Sequence, residues 1–314
     1  MTRPRLLADI GGTNARFTLL RGSEIGETKV LEVDDYPNLT DAIAAYLASI
    51  PESERPDEAA MGVAGPVTSD RVVMMNSQWT FSTQELKRQF GWTKLCVVND
   101  FAANALAVPE LTPDDLLQVG EGTPVAGLPV AILGPGSGLG VAGLVSVHGH
   151  WTAIAGEGGN VTMAALDSRE AALIDILRRQ YAHVSAEVVL SGPGLVNLYD
   201  ALCELAGKPS TPATPEHITR LYPGCDPQCR EAVNIFCGML GTFAGDVALT
   251  FGARGGVYIM GGIVPKIHEI FRHSSFRERF EFKGRYRQYL SGIPTYVVMH
   301  PFPAFLGLRT LFRD

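Results

Sequence analysis

Leu6-Leu7-Ala8-Asp9-Ile10-Gly11-Gly12-Thr13-Asn14-Ala15-Arg16-Phe17-Thr18-Leu19-Leu20 is an apolar run carrying one carboxylate, then a tight polar turn, then a second apolar run. The pattern predicts strand, turn, strand. Gly11 and Gly12 have no Cβ, so backbone N–H groups there can approach an anion closely. Thr13 and Asn14 add side-chain donors at the same turn. Asp9 falls at a strand end, where a carboxylate can hold a metal ion near phosphate oxygens. An ordinary Gly-rich hairpin with a satisfied Asp has the same pattern, so the rest of the chain must separate the two readings.

The pattern recurs. Val130-Ala131-Ile132-Leu133 leads into Gly134-Pro135-Gly136-Ser137-Gly138-Leu139-Gly140, and Val141 to Val147 leads away. A third Gly turn, Gly261-Gly262, follows the apolar strand Gly256 to Met260. Three Gly turns at strand ends exceed what hairpins need, and a phosphate and nucleoside site divided between two domains explains all three. No G-x-x-x-x-G-K-[ST] and no G-x-G-x-x-G occurs at these turns, so neither a Walker A loop nor a dinucleotide site is indicated.

Leu95-Cys96-Val97-Val98 runs straight into Asn99-Asp100. A polar pair at the carboxyl end of a strand is where open α/β sheets place ligand groups. Asp100 reads as a general base toward a substrate hydroxyl, as the N-cap of helix 101–108, or as both. Asn99 adds donor and acceptor capacity. Gly156-Glu157-Gly158-Gly159-Asn160 is another polar turn, and Glu187 stands in the link before Val188-Val189-Leu190. Either glutamate can grip vicinal hydroxyls or serve as a surface or capping residue.

Helices are expected over 38–49, after the Ser82–Glu85 capping box, after Asp167, behind the stripe Leu195, Leu198, Leu202 and Leu205, and over 304–312. Val233 to Phe251 is apolar enough to raise a membrane span, but Asn234, Asp246 and its small residues favour a buried core helix. With 314 residues, 46% hydrophobic and 19% charged, the chain is expected to form two well-buried domains. A net charge of −7 speaks against nucleic acid as the main partner. Within that balance, the basic stretch Arg272 to Arg287 reads as packed aromatics under a solvated charged face. Five cysteines make no disulfide framework, and Cys225 with Cys229 supplies only half a zinc site. His148-Gly149-His150 reads as a polar strand end. No export signal precedes the first strand, so a cytoplasmic protein without a membrane partner is expected.

Ala8-Asp9-Ile10-Gly11-Gly12-Thr13-Asn14-Ala15-Arg16, Val98-Asn99-Asp100-Phe101, Gly156-Glu157-Gly158-Gly159, Leu190-Ser191-Gly192-Pro193-Gly194-Leu195-Val196-Asn197-Leu198-Tyr199 and Met260-Gly261-Gly262-Ile263 stand in order along the chain. This set resembles the bacterial glucokinase family of ATP-dependent hexokinases, from about residue 6 to about residue 308. The resemblance implies an α/β, two-domain, actin-like (ribonuclease-H-like) sugar kinase fold with an interdomain cleft. It implies a small domain of residues 1–109 plus 301–314, a large domain of 110–300, and a homodimer. It also implies transfer of the ATP γ-phosphate to the 6-hydroxyl of glucose with Mg²⁺. By position, Asp100 resembles the base, and Asn99, Asp100, Glu157, Asn160 and Glu187 the hexose ligands. Ala8, Asp9, Ile10, Gly11, Gly12, Thr13 and Asn14 resemble one phosphate turn, and Gly134, Gly136, Ser137 and Gly138 the other. Gly261 and Gly262 resemble the adenosine-side turn, and Asp9 the residue holding Mg²⁺ through water. Two positions depart from the family pattern. Asn160 stands where a histidine is usual, which bears on sugar preference, and Pro303-Ala304 replaces a usual Pro-Gly.

Overall fold

The computed structural model describes residues 3–313 except Asn76, Pro212, Pro223 and Cys225. Cys225, one thiol of the half zinc site, and Asn76, the expected end of a strand, therefore lie outside the described residues. The chain divides into two compact units. The first holds the residues up to Pro113, Trp151–Ala155 and the residues from His300 onward; the second holds Asp114–His150 and Gly156–Met299. The first unit thus runs past the expected boundary at 109. Glu110 accounts for this, because Arg309 (2.8 Å) and Arg313 (2.6 Å) of the C-terminal segment hold its carboxylate. The sequence carries no marker for Trp151–Ala155.

In the first unit, β1 (Arg5–Ile10), β2 (Asn14–Arg21), β3 (Glu24–Ile25) and β4 (Lys29–Glu32) are followed by α1 (Leu39–Ala48) and β5 (Glu58–Val63). The ribbon β6 (Arg71–Val73) and β7 (Thr80–Ser82), α2 (Thr83–Gln89), β8 (Lys94–Asn99) and α3 (Asp100–Ala107) come next. The sheet order is β3-β2-β1-β5-β8, with β4 on β2. Strand β1 is apolar on both faces, and its period of two explains its central place. Leu6, Ala8 and Ile10 join a core with Ile43 and Trp79, while Leu7 joins another with Ala103, Phe305 and Leu308. Asn38 and Ser82 cap α1 and α2 by accepting from the N–H groups of Asp41 (2.9 Å) and Glu85 (3.1 Å).

Strands β1, β5 and β8 are parallel, and Ile10, Val63 and Asn99 stand in register. Their carboxyl ends therefore line one edge of this sheet. The C-terminal helix (Pro303–Thr310) lies against α3 at Gly307, where a Cβ would overlap the Ala103 carbonyl. Ala304 is buried in the first turn of that helix.

In the second unit, β9 (Leu116–Gln118), β10 (Val130–Pro135) and β11 (Leu139–Val147) precede β12 (His150–Gly156), whose middle belongs to the first unit. Then come α4 (Ser168–Leu177), α5 (Ala186–Val189), α6 (Gly192–Leu205), α7 (Pro215–Arg220) and α8 (Pro227–Phe251). Strand β13 (Val257–Ile259), α9 (His268–Arg272), α10 (Phe276–Glu281), α11 (Arg287–Ser291) and β14 (Thr295–Val298) complete it. Five of its strands run in the order β11-β10-β13-β14-β9. Helix α8 is long and apolar enough to cross a membrane, yet 78% of its apolar window is buried inside the protein. It ends at Gly252, whose left-handed φ of +61° suits glycine. Gly241 and Gly245 admit the α10 backbone: a Cβ would stand 2.9 Å from the Phe276 carbonyl carbon and 2.6 Å from the Phe280 carbonyl oxygen.

The basic stretch around α10 departs from expectation. Phe276 and Phe280 pack as foreseen, but Phe282 and Tyr286 are exposed. Arg277 is drawn inward, where it donates to the carbonyls of Ile293 (2.8 Å) and Ser291 (2.9 Å) that the turn after α11 leaves unpaired. Arg279 pairs with Glu170 at 2.7 Å and donates to the Thr242 hydroxyl at 3.0 Å. These two charges are structural, not solvated. His148 forms a tight turn, with φ +51°.

Candidate active site

The β1–β2 turn of the first unit is closed by Gly11 N–H donating to the Asn14 carbonyl at 2.9 Å. Among the described residues, the N–H groups of Gly12 and Thr13 have no acceptor, so they remain available to an anion. Asp9 and Arg16 face each other in the hairpin register, with Nη1 3.2 Å from Oδ2. Burial pushes the Asp9 carboxyl above its ordinary pKa, and the Arg16 charge and hydrogen bond oppose that rise.

Asn99 and Asp100 sit at the carboxyl end of β8, at the same sheet edge as the turn. The helix cap is Asn99, not Asp100. Asn99 Oδ1 accepts from Ala102 N–H at 3.0 Å, and Nδ2 donates to the Gly65 carbonyl at 3.2 Å. Asp100 is the first residue of α3, half-buried, and its Oδ1 accepts from Phe101 N–H at 2.9 Å.

In the second unit, β10 continues through Gly134-Pro135, which pair with Gly140 and Leu139. The predicted turn of 134–140 therefore shrinks to Gly136-Ser137-Gly138, and Gly134 is a ladder residue. Gly136 N–H donates to the Gly138 carbonyl, and the Gly136 carbonyl accepts from Gly192 N–H at the start of α6, each at 2.8 Å. Gly261, with φ +84°, lies against β10: a Cβ would stand 2.5 Å from the Pro135 carbonyl oxygen. Two Gly turns far apart in sequence are thus brought together. An added Cβ at Gly262 would meet nothing within 4 Å.

The turn holding Glu157 and Asn160 packs on β11. Asn160 N–H donates to the Glu157 carbonyl at 3.0 Å. A Cβ on Gly158 would stand 2.9 Å from Val141 Cβ, and one on Gly159 would overlap the Leu139 carbonyl. Glu187 lies within the short helix α5 rather than in a link, because Ser185 caps that turn through Val188 N–H (3.4 Å). Its Oε2 accepts from Leu139 N–H at 2.8 Å. Burial and the nearby Glu187 charge raise the Glu157 pKa. So Glu157, Asn160, Glu187, the turn 136–138 and Gly261 form one group in this unit, while Asp9, Asn99 and Asp100 form one in the first.

Sequence reasoning passed over Arg16, Gly65, Leu139 and Ser191 as working parts. Hairpin register is the signal that pairs Arg16 with Asp9; the Leu139 and Gly65 contacts are purely tertiary. Among the described residues, no group of three or more His, Cys, Asp or Glu could hold a metal. The half-buried Asp9 carboxylate beside the turn N–H groups nonetheless fits Mg²⁺, which keeps several waters and takes its remaining ligands from substrate phosphates.

A family model described as glucokinase matches residues 6–314. A glucokinase of Paramagnetospirillum magneticum is 51% identical over 317 residues, covering 100% of this chain and 99% of the relative. The crystal structure of a glucokinase from an Antarctic psychrotroph is 35% identical, with a TM-score of 0.85 over 99% of both chains. A ROK-family glucokinase from Streptomyces griseus, solved with glucose and AMPPNP, is 19% identical. It covers 98% of each chain at a TM-score of 0.68, a likeness of fold alone.

Proposed function

The chain belongs to the glucokinase family, an actin-like fold of sugar kinases, and on that footing we propose that it transfers the γ-phosphate of ATP to the 6-hydroxyl of D-glucose, giving glucose 6-phosphate and ADP. The observation that carries this reading is the unbroken likeness to a glucokinase along the whole chain. The geometry supports it part by part. Asp100, placed as the first residue of α3 at the carboxyl end of β8, takes the proton of the 6-hydroxyl as its oxygen attacks phosphorus. Glu157, Asn160 and Glu187 hold sugar hydroxyls, with Asn99 fixing the start of α3 beside the base. Free N–H groups at Gly12 and Thr13, with those of Ser137 and Gly138, receive phosphate oxygens, and Gly261-Gly262 borders the adenosine. Asp9 holds Mg²⁺ through water, and the ion, when bound, neutralises phosphate charge.

The same proposal includes a homodimer, as in many family members, acting in the cytoplasm, where the free thiols of Cys96, Cys203, Cys229 and Cys237 stay reduced. Release of ADP, followed by a coupled assay over a panel of hexoses and amino sugars, tests the activity; no turnover of any hexose refutes it. Asn160 favours a second reading, a kinase for another hexose or amino sugar. Its side chain is shorter than the usual histidine and has no hydrogen-bond partner among the described residues. A kcat/KM for another sugar above that for glucose would decide for it.

A further inference from the structure

Leu139 is the first residue after the turn Gly136-Ser137-Gly138, and its peptide group is held from two sides. Its N–H donates to Glu187 Oε2 at 2.8 Å. Its carbonyl is pressed by the Cα of Gly159, so closely that no Cβ fits there. Leu139 stands opposite Pro135 in the ladder, and because Gly136 N–H bonds the Gly138 carbonyl this is a non-hydrogen-bonded pair, so the Leu139 N–H faces away from β10 and leaves its partner to be a side chain. Glu187 is itself fixed, because Ser191 Oγ donates to its carbonyl at 2.7 Å, and Ser191 caps α6 through Gly194 N–H at 3.0 Å. The other shoulder of the turn is tied to that same helix start by Gly192 N–H on the Gly136 carbonyl, at 2.8 Å. One carboxylate oxygen of Glu187 is thus committed to the backbone of the turn, while the other has no hydrogen-bond donor among the described residues.

We infer that Glu187 is a positioning residue for the nucleotide as well as a hexose ligand: through Leu139 N–H it holds the turn Gly136-Ser137-Gly138 in its phosphate-receiving form. This rests on the assignment of that turn and of Glu187 under the proposed function. The link is bidirectional. A hexose hydroxyl on the free oxygen fixes the carboxylate, which fixes the Leu139 peptide, so sugar and nucleotide favour each other's binding. The Gly158-Gly159 pair serves the same end, since its lack of side chains lets the turn bearing Glu157 and Asn160 press on the Leu139 carbonyl.

The test measures AMPPNP binding by calorimetry in full-length protein without any sugar, so its outcome stands apart from whether glucose is the acceptor. Glu187→Ala removes the acceptor, and AMPPNP affinity falls about tenfold, as for loss of one hydrogen bond to a charged group. Glu187→Gln keeps a carboxamide oxygen for Leu139 N–H and restores most of that affinity, although its hexose affinity stays low. Unchanged AMPPNP affinity in Glu187→Ala, with hexose affinity lost, makes Glu187 a sugar ligand only and overturns the inference. Should Glu187→Ala fail to fold, amide exchange in the unaltered protein decides. Leu139 N–H is expected to exchange more slowly than Ser137 N–H, and more slowly again with glucose; equal rates overturn the inference.

Discussion

Gly307→Ala tests the packing that sets the position of Asp100. The new Cβ would lie 2.9 Å from both the Ala103 carbonyl carbon and Ala107 N, and closer still to the Ala103 oxygen. Carbon contacts are normally about 3.5–4.0 Å. The obstacle is backbone on both sides, so no rotamer relieves it, and the C-terminal helix must draw away from α3. Overpacking of this kind costs about 1–3 kcal/mol, and more where neighbours cannot give. Separation also exposes part of Phe305 and Leu308, each worth about 1.5–3 kcal/mol when fully buried. Alanine's better helix propensity returns about 1 kcal/mol. The net loss is about 2–4 kcal/mol, a fall in Tm on the order of 5–10 °C. Because Ala103 lies one turn beyond Asp100, kcat should fall with it, even well below the new Tm. Gly292→Ala is the control: its nearest neighbour would be the Tyr289 carbonyl oxygen at 3.7 Å, and its φ is −77°. A Gly307→Ala protein with the melting curve and kcat of the control refutes the argument.

Asp100→Ala should abolish ADP formation in the coupled assay while AMPPNP binding survives; near-normal turnover removes Asp100 as the base. Asn160→His should lower KM for glucose, and an unchanged or higher KM denies that Asn160 limits sugar binding. Glu170→Ala leaves the Arg279 guanidinium buried without its partner, and urea unfolding should show a loss of about 3–5 kcal/mol, against which a loss below 1 kcal/mol would speak. The Glu157 carboxyl titrates above its ordinary value, so the folded chain binds the extra proton. Its contribution to stability is therefore fully present below the unfolded value and declines as pH rises through the window up to the raised one. Carboxyl NMR should find the Glu157 midpoint lower in Glu187→Gln, since burial remains but the repulsion is gone; an unmoved midpoint excludes the coupling.

Local chemistry was legible where one element declares itself. The hairpin around Gly11-Gly12 and the Ser82 and Asp167 caps follow from propensity and spacing, and the structure repeats them. Contacts that join distant segments were not. Whether Asn99 or Asp100 caps α3 depends on the Gly65 carbonyl meeting Asn99 Nδ2 from another strand connection. Glu187 looked like a linker residue because four residues make too short a helix to show a period. Arg277 and Arg279 looked solvated because their partners, the carbonyls after α11 and the Glu170 carboxylate, lie elsewhere in the chain. Trp151–Ala155 carries no local mark of the unit it joins.

The first unit is assembled from the two ends of the described chain. Phe305, Leu308 and Phe312 complete the same apolar cluster as Leu7 and Ala60, and Arg5 stacks on the Phe312 ring at 4.8 Å. On a ribosome adding about 5–20 residues per second, the first unit's opening strands wait roughly 15–60 s for that helix. The second unit's sequence is made entirely within the wait. Until the helix arrives, one face of the nascent β1–β5–β8 sheet lacks its cover, and it is there that a chaperone has something to hold.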